Sequence, residues 1–377
     1  MLPVTPRGFK DVLPKEARWR EAITTQMQQV MSSWGYAPIE TPTLEVLQVL
    51  EAGSPLTQQP FRLFDSDGAL LVLRPDVTLP IARMVASRLR EETEPLRFRY
   101  VQPVFREEER LRGQAREFTQ IGGEYIGATG AAADAEILLL LAEALQAVGL
   151  VDFQIAVGTV GVLKDLLAAA QRCGGCDQDW REAMLAAFHN NNLVDIAELS
   201  ALSAVPPDIG VALRALPNIN GGQAAIGLCQ ELVEPLGCSA GLEQLSQTLG
   251  IVSELDGGDS ISVDFSVVSA FDYYTGLVFE VYAPGSGLAL GGGGRYDSTL
   301  AAFGADRPAA GFAVYLERIM AALSVQAAGL DEAAFKPACE YVPLDVNDPV
   351  VAFRQAAELR KAGRRAVLGS CTEGAAR

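Results

Sequence analysis

Phe105-Arg106-Glu107-Glu108 and, one turn later, Arg116-Glu117-Phe118-Thr119-Gln120 decide how this chain folds. The first group ends a run over 98–105 and the second opens a run over 118–126, both rich in β-branched and aromatic residues. A charged, glycine-bearing turn separates them, so the pattern predicts neighbouring antiparallel strands. Pairing brings Arg106, Glu108 and Gln120 toward one sheet face, where guanidinium, carboxylate and amide groups suit a small zwitterion or a nucleotide. The plainer reading is a surface hairpin whose charges cancel. From Arg88 to Glu117 there are eight arginines and seven acids, hence no single-sign funnel for phosphates.

Upstream, residues 69–73 read as a further strand of this set, closed by Arg74-Pro75-Asp76-Val77-Thr78. There a carboxylate and a hydroxyl can meet an ammonium group or other donors. Earlier, Trp19, Ile23, Met27, Val30 and Trp34 recur at steps of three and four, which predicts a helix over 15–34 with one apolar face for the sheet. It ends near Gly35, and Pro38 and Pro42 keep the following segment extended. Downstream, Ile137, Leu138, Leu141, Leu145 and Val148 stripe a second helix over about 134–148.

From about 158 to 250, Ala/Leu-rich helical pieces alternate with Cys173 to Cys176, Pro206-Pro207 and Gly221-Gly222, which predicts a helical insertion. Strand patterns return at 261–268, 277–282 and 288–290, ahead of Gly291 to Gly294 and an apolar stretch over 309–323. The four glycines let backbone approach a ligand or a neighbouring strand, but form neither a Walker loop nor a dinucleotide fingerprint. Beyond Lys336, a strand at 341–344, a helix at 349–362 and a strand at 366–368 read as the start of an α/β domain. So short a segment has little core of its own, and it is expected to dock on the main body or to be incomplete. Its Arg354, Arg360, Lys361, Arg364 and Arg365 form either a basic contact or a solvated helix face.

The chain has 377 residues, room for about two domains, and its 49% hydrophobic and 20% charged content excludes disorder. Forty-seven acids against 30 bases leave a net charge of −17, which opposes nucleic-acid binding. No uncharged apolar stretch approaches the roughly 18 residues a bilayer requires, and the first ten residues lack a signal-peptide core, so a soluble cytoplasmic protein is expected. Six cysteines are too few for a disulfide scaffold. Cys173-Gly-Gly-Cys176 is half a zinc site or a redox pair with no second close pair to complete it, and no metal is expected. The single histidine, His189, sits at what reads as a helix end, which argues against a His-dependent triad or a multi-His metal centre. Any chemistry must then use carboxylates, arginines, tyrosines or backbone amides.

Taken together, these segments resemble the catalytic core of histidyl-tRNA synthetase, a class II aminoacyl-tRNA synthetase, collinearly over 6–325. Arg7-Gly-Phe-Lys-Asp11 with Leu13-Pro14 is similar to that family's opening, and residues 35–42 to its motif 1, which forms the family's dimer interface. Residues 105–120 resemble motif 2, and Gly311-Phe312 through Leu316-Glu317-Arg318 resemble motif 3. Phe271-Asp272-Tyr273-Tyr274-Thr275-Gly276, followed by Gly292-Gly-Gly-Arg-Tyr-Asp297, resembles a motif specific to the histidine enzyme. The resemblance implies an α+β fold, an antiparallel sheet flanked by helices, with a core over 1–325, the insertion over about 158–250, and a short C-terminal α/β segment over 326–377. It places Thr78, Gln120, Glu124 and Tyr274 on histidine-pocket positions, with Asp76 where a glutamate is usual, and Arg106, Glu108 and Arg318 on nucleotide-binding positions.

Two departures redirect the expected function. Where the family carries an arginine that stabilises charge during adenylate formation, this chain has Ser269, and Gln114 replaces a basic residue usual in the motif 2 loop. A fixed cation facing developing negative charge is worth several kcal/mol, so a serine there should cost orders of magnitude in activation. The tail also stops short of a complete anticodon-binding domain. A synthetase-like core so altered resembles the regulatory subunit of ATP phosphoribosyltransferase, which joins a short catalytic subunit, supports its activity and participates in feedback inhibition by histidine. The resemblance implies a hetero-octamer around a synthetase-like dimer, with histidine bound here or at a partner interface, and no catalytic residue, cofactor, tRNA or membrane. The competing readings are a divergent histidyl-tRNA synthetase or an aminoacyl transferase, and an RNA-binding regulator of translation.

Overall fold

The computed structural model describes residues 5–53, 60–107, 115–255, 258–268, 273–326, 339–344 and 349–369. They fall into two compact units, 1–326 and 327–377.

The first unit is built on a nine-stranded sheet. Its order from edge to edge is Ala37–Pro38, Leu96–Phe105, Glu117–Ile126, Ala309–Tyr315, Gly291–Arg295, Leu277–Tyr282, Gln154–Thr159, Ile261–Asp264 and Asn220–Gly221. Neighbours run antiparallel except at Ala37–Pro38 with Leu96–Phe105, and at Gln154–Thr159 with Ile261–Asp264. The hairpin read first from the sequence is present, with Gln102 opposite Gln120 and Tyr100 opposite Gly122.

Helices cover both faces. Pro14–Ser33 begins with proline at its first turn, where a missing N–H costs nothing, and it buries Ile23, Met27 and Met31. Trp19, Val30 and Trp34 flank that stripe, partly buried. The chain leaves the helix through Gly35 at φ +82, a left-handed turn that favours glycine. Beside it, Gly130–Ala147 lays Ile137, Leu138, Leu141 and Leu145 against Ile121, Phe279 and Phe312 of the sheet. Each such side chain removed from water contributes roughly 1.5–3 kcal/mol. On the opposite face, Thr78–Arg88 packs Ile81 and Val85 against Phe98, Tyr100 and Val104.

The region after Gln154–Thr159 is helical, running from Val160–Arg172 to Leu242–Ser253 with only the two-residue strand Asn220–Gly221 among its helices. Asp177 and Asn192 cap two of these helices by accepting from backbone N–H groups, as short polar side chains do at that position. His189 is the last residue of Gln178–His189. Cys173 caps the preceding helix and is exposed, while Cys176 is buried. Among the described residues no group of three or more His, Cys, Asp or Glu side chains can hold a metal, and no helix is long and apolar enough to cross a membrane.

Three strand expectations need correction. Leu70–Leu73 does not join the main hairpin; it is the centre of a separate three-stranded sheet with Leu44–Val46 and Arg62–Phe64. Residues 288–290 are not a strand, whereas the glycine run Gly291–Arg295 is one. Alternating apolar side chains reveal half-buried strands, and a strand without side chains is invisible to that signal. The pattern read over 261–268 stops at Asp264, and the apolar stretch over 309–323 divides into strand Ala309–Tyr315 and helix Leu316–Gln326.

In the second unit, Cys339–Val342 runs parallel to Arg365–Leu368 through the crossover helix Pro349–Lys361. Val342, Ala352, Ala356 and Ala366 form its small core. Arg360 donates from Nη2 to the Ala366 carbonyl at 2.8 Å, and Arg364 pairs with Glu340. These basic groups therefore make local contacts.

Candidate functional site

Register determines where a cavity can exist. Gln120, Gly122 and Glu124 lie opposite Tyr315, Ala313 and Gly311, and Ala313 and Gly311 lie opposite Gly292 and Gly294. Alternate residues on a strand share a face, so one sheet face carries a strip of glycine and alanine from which larger side chains rise at the rim. On the reverse face the intervening Ile121, Phe279 and Phe312 are buried in the core. Small residues on one side and large ones on the other leave a cavity of about 220 Å³ over the strip.

Seven residues singled out from the sequence line that cavity: Asp76, Thr78, Gln120, Glu124, Tyr274, Arg106 and Arg318. They come from the start of Thr78–Arg88, from both strands of the hairpin, from 273–276 and from Leu316–Gln326, segments distant in the chain. Glu108 and Ser269 lie outside the described residues, as do Gln114, Phe271 and Asp272.

Glu124 is 1% exposed and receives three hydroxyls. Thr78 Oγ1 donates to Oε1 at 2.9 Å, Tyr100 donates to Oε1 at 3.4 Å, and Tyr296 donates to Oε2. Burial pushes the carboxyl up to about 8, with the nearby Asp76 charge adding to the rise and the hydroxyls opposing it. Burial also raises Tyr100, Tyr274 and Tyr296 above the ordinary tyrosine value, so these hydroxyls stay protonated at neutral pH.

Asp76 accepts from the Leu79 N–H at 3.1 Å and so caps Thr78–Arg88. Burial raises its carboxyl, while that backbone bond and the Arg106 charge pull it back. Gln120 is 3% exposed, and its Oε1 finds no hydrogen-bond partner among the described residues. A buried amide oxygen left unpaired costs about 1–3 kcal/mol, which a bound donor would recover.

The same cavity also carries cationic and aromatic side chains. Arg106 is 6% exposed and donates from Nη2 to the Tyr315 hydroxyl at 2.5 Å and from Nε to the Pro75 carbonyl at 3.2 Å. Arg318 donates from Nη1 to the Ala289 carbonyl. Acceptors and guanidinium groups lining one cavity match a small zwitterion that presents donors and a carboxylate.

Four lining or supporting tyrosines were not picked out as site residues: Tyr100, Tyr273, Tyr296 and Tyr315. Tyr273 meets Tyr274 at a 50° tilt with centroids 4.8 Å apart and meets Tyr296 edge-on at 5.8 Å. Tyr100 is two residues from Gln102 on the cavity-facing alternation, a signal available in the sequence, whereas the role of Tyr315 depends on a register no local pattern gives.

Around this pocket the frame is tied by buried charge. Arg295 Nη2 lies 2.6 Å from Asp134 Oδ1, with side chains 4% and 1% exposed. Arg295 also reaches Asp297 at 2.9 Å, and Asp297 N–H meets Thr275 Oγ1 at 3.0 Å, which anchors the turn after Tyr274.

The family profile of histidyl-tRNA synthetase matches residues 8–319. Among curated proteins, the chain is 37% identical over 323 residues to the ATP phosphoribosyltransferase regulatory subunit of Moorella thermoacetica, covering 84% of this chain and 81% of that protein. To the protein of the same name from Bacillus licheniformis it is 34% identical over 376 residues, covering 96% and 90%. It also superposes on the crystal structure of an ATP phosphoribosyltransferase regulatory subunit/histidyl-tRNA synthetase from Bacillus halodurans, with a TM-score of 0.85, 31% identity, and 100% and 95% of the two chains covered.

Proposed function

The chain belongs to the histidyl-tRNA synthetase family, on its branch of ATP phosphoribosyltransferase regulatory subunits, and from that membership we infer its role. It is a regulatory subunit acting in histidine biosynthesis, where it activates a short-form ATP phosphoribosyltransferase and takes part in feedback by histidine. The observation that carries this is the similarity to proteins of that name along 78–90% of their lengths.

In this reading the chain performs no aminoacyl activation. Serine at position 269 carries no charge where adenylate formation requires a cation. Histidine is the effector, with Asp76, Thr78, Gln120, Glu124 and Tyr274 as its pocket. The unpaired Gln120 oxygen and the two buried carboxyls supply acceptors for its ammonium and imidazole N–H groups. Arg106 and Arg318 are retained in the same cavity.

The catalytic subunit is the cytoplasmic partner, assembled with this chain in a hetero-octamer around a synthetase-like dimer. Effector binding acts on it by differential affinity for the partner's active and inactive arrangements, a coupling typically worth about 1–3 kcal/mol.

Histidine-dependent exchange of pyrophosphate into ATP by the purified chain tests the loss of chemistry. No exchange above the protein-free rate is expected; clear exchange would restore the synthetase reading.

A further inference from the structure

Tyr315 ends the strand Ala309–Tyr315 on the cavity face, directly opposite Gln120. It is the one large residue on a stretch of that face where Gly311 and Ala313 keep the floor low. Its backbone is fixed by a 2.8 Å bond from its N–H to the Leu290 carbonyl.

The ring is held from several directions. The Arg318 Cζ lies 4.4 Å from its centroid and the Arg106 Cζ 5.1 Å. Phe118 meets it at 5.8 Å and 63°, an edge-on approach, while Arg106 donates to its hydroxyl. Tyr315 is 9% exposed.

Two guanidinium groups beside an aromatic ring are the chemistry that recognises a nucleotide, with charge for phosphates and flat faces that stack on a purine. In this chain the space beside the two guanidinium groups is taken by the chain's own phenol, which lies against Arg318 and accepts from Arg106. The remaining cavity, about 220 Å³, is below the roughly 300–1,000 Å³ of sites for larger organic ligands. One amino acid fits that space, but an amino acid and a nucleotide together do not.

We propose that Tyr315 sets the ligand class of this cavity: its ring fills the slot among Arg106, Arg318 and Phe118 where a purine base would stack, so the site takes one amino-acid-sized zwitterion and excludes adenine nucleotides. This rests on reading the cavity as the amino-acid pocket and its two arginines as nucleotide-facing. It makes the loss of adenylation a matter of shape as well as charge.

Calorimetric titration of the full chain with ATP, and separately with histidine, tests it. Wild type should show no saturable ATP binding into the millimolar range. Tyr315→Ala should bind ATP at least tenfold more tightly than that limit, and adding Arg318→Ala should abolish the gain. Tyr315→Val, better suited to a strand, serves if the alanine variant does not fold. Saturable ATP binding by wild type overturns the proposal without any variant. So does a folded variant that gains no ATP binding, or a gain indifferent to Arg318→Ala. Histidine failing to bind wild type sinks the amino-acid-pocket reading by itself, and the ATP titrations still decide whether Tyr315 is the block.

Discussion

Gly311 stands opposite Glu124 in the sheet, and a Cβ placed on it would lie 1.8 Å from Glu124 Oε2. The buried carboxyl occupies the space that any other residue at position 311 would fill. Gly311→Ala should therefore displace Glu124 and cost about 1–3 kcal/mol in overpacking, with at least a tenfold loss of histidine affinity. Urea denaturation and calorimetric titration measure the two effects.

Glu124 also predicts how stability depends on pH. Its ordinary value near 4.5 rises to about 8 through burial. Between those values the folded state holds a proton that the unfolded chain has released, so this group's contribution to stability is greatest below about 4.5, falls as pH rises toward 8, and then levels. At about 1.4 kcal/mol per pH unit, the loss attributable to this group is at most about 5 kcal/mol. Denaturation of wild type and Glu124→Gln at pH 5 and pH 8.5 should show the smaller pH dependence in the variant.

The Asp134–Arg295 pair joins the helix Gly130–Ala147 to the glycine strand beneath the cavity, and Gln244 donates to the second Asp134 oxygen. Removing Asp134 takes from the buried Arg295 its closest and most buried counter-charge and leaves it with the more exposed Asp297. Asp134→Ala should lower stability by about 3–5 kcal/mol, measured by urea denaturation.

Much of the candidate site was legible in the sequence, because the residues that line the cavity sit in recognisable motifs. Arg106, Gln120 and Glu124 belong to a hairpin whose β-branched runs predict pairing, and Asp76 and Thr78 stand where a strand meets a helix. What local pattern could not give was register across distant strands. The glycine strand 291–295 has no side-chain periodicity, and the opposition of Tyr315 to Gln120 joins segments nearly two hundred residues apart. The residues 70–73 had a sound strand signal but found partners in another sheet, since propensity does not name a partner.

Placing a cation at position 269 alone should not produce amino-acid activation. Ser269→Arg should remain silent in histidine-dependent pyrophosphate exchange, because Tyr315 still fills the slot beside Arg318. Exchange by that single variant would show that the nucleotide end is open.

The most direct measurement is phosphoribosyl transfer by a short-form ATP phosphoribosyltransferase catalytic subunit, assayed alone and with increasing amounts of this protein, then with histidine. The rate should rise to a plateau at a fixed ratio of the two chains, and histidine should lower it only when this chain is present. A catalytic subunit equally active and equally histidine-sensitive by itself would contradict the regulatory role.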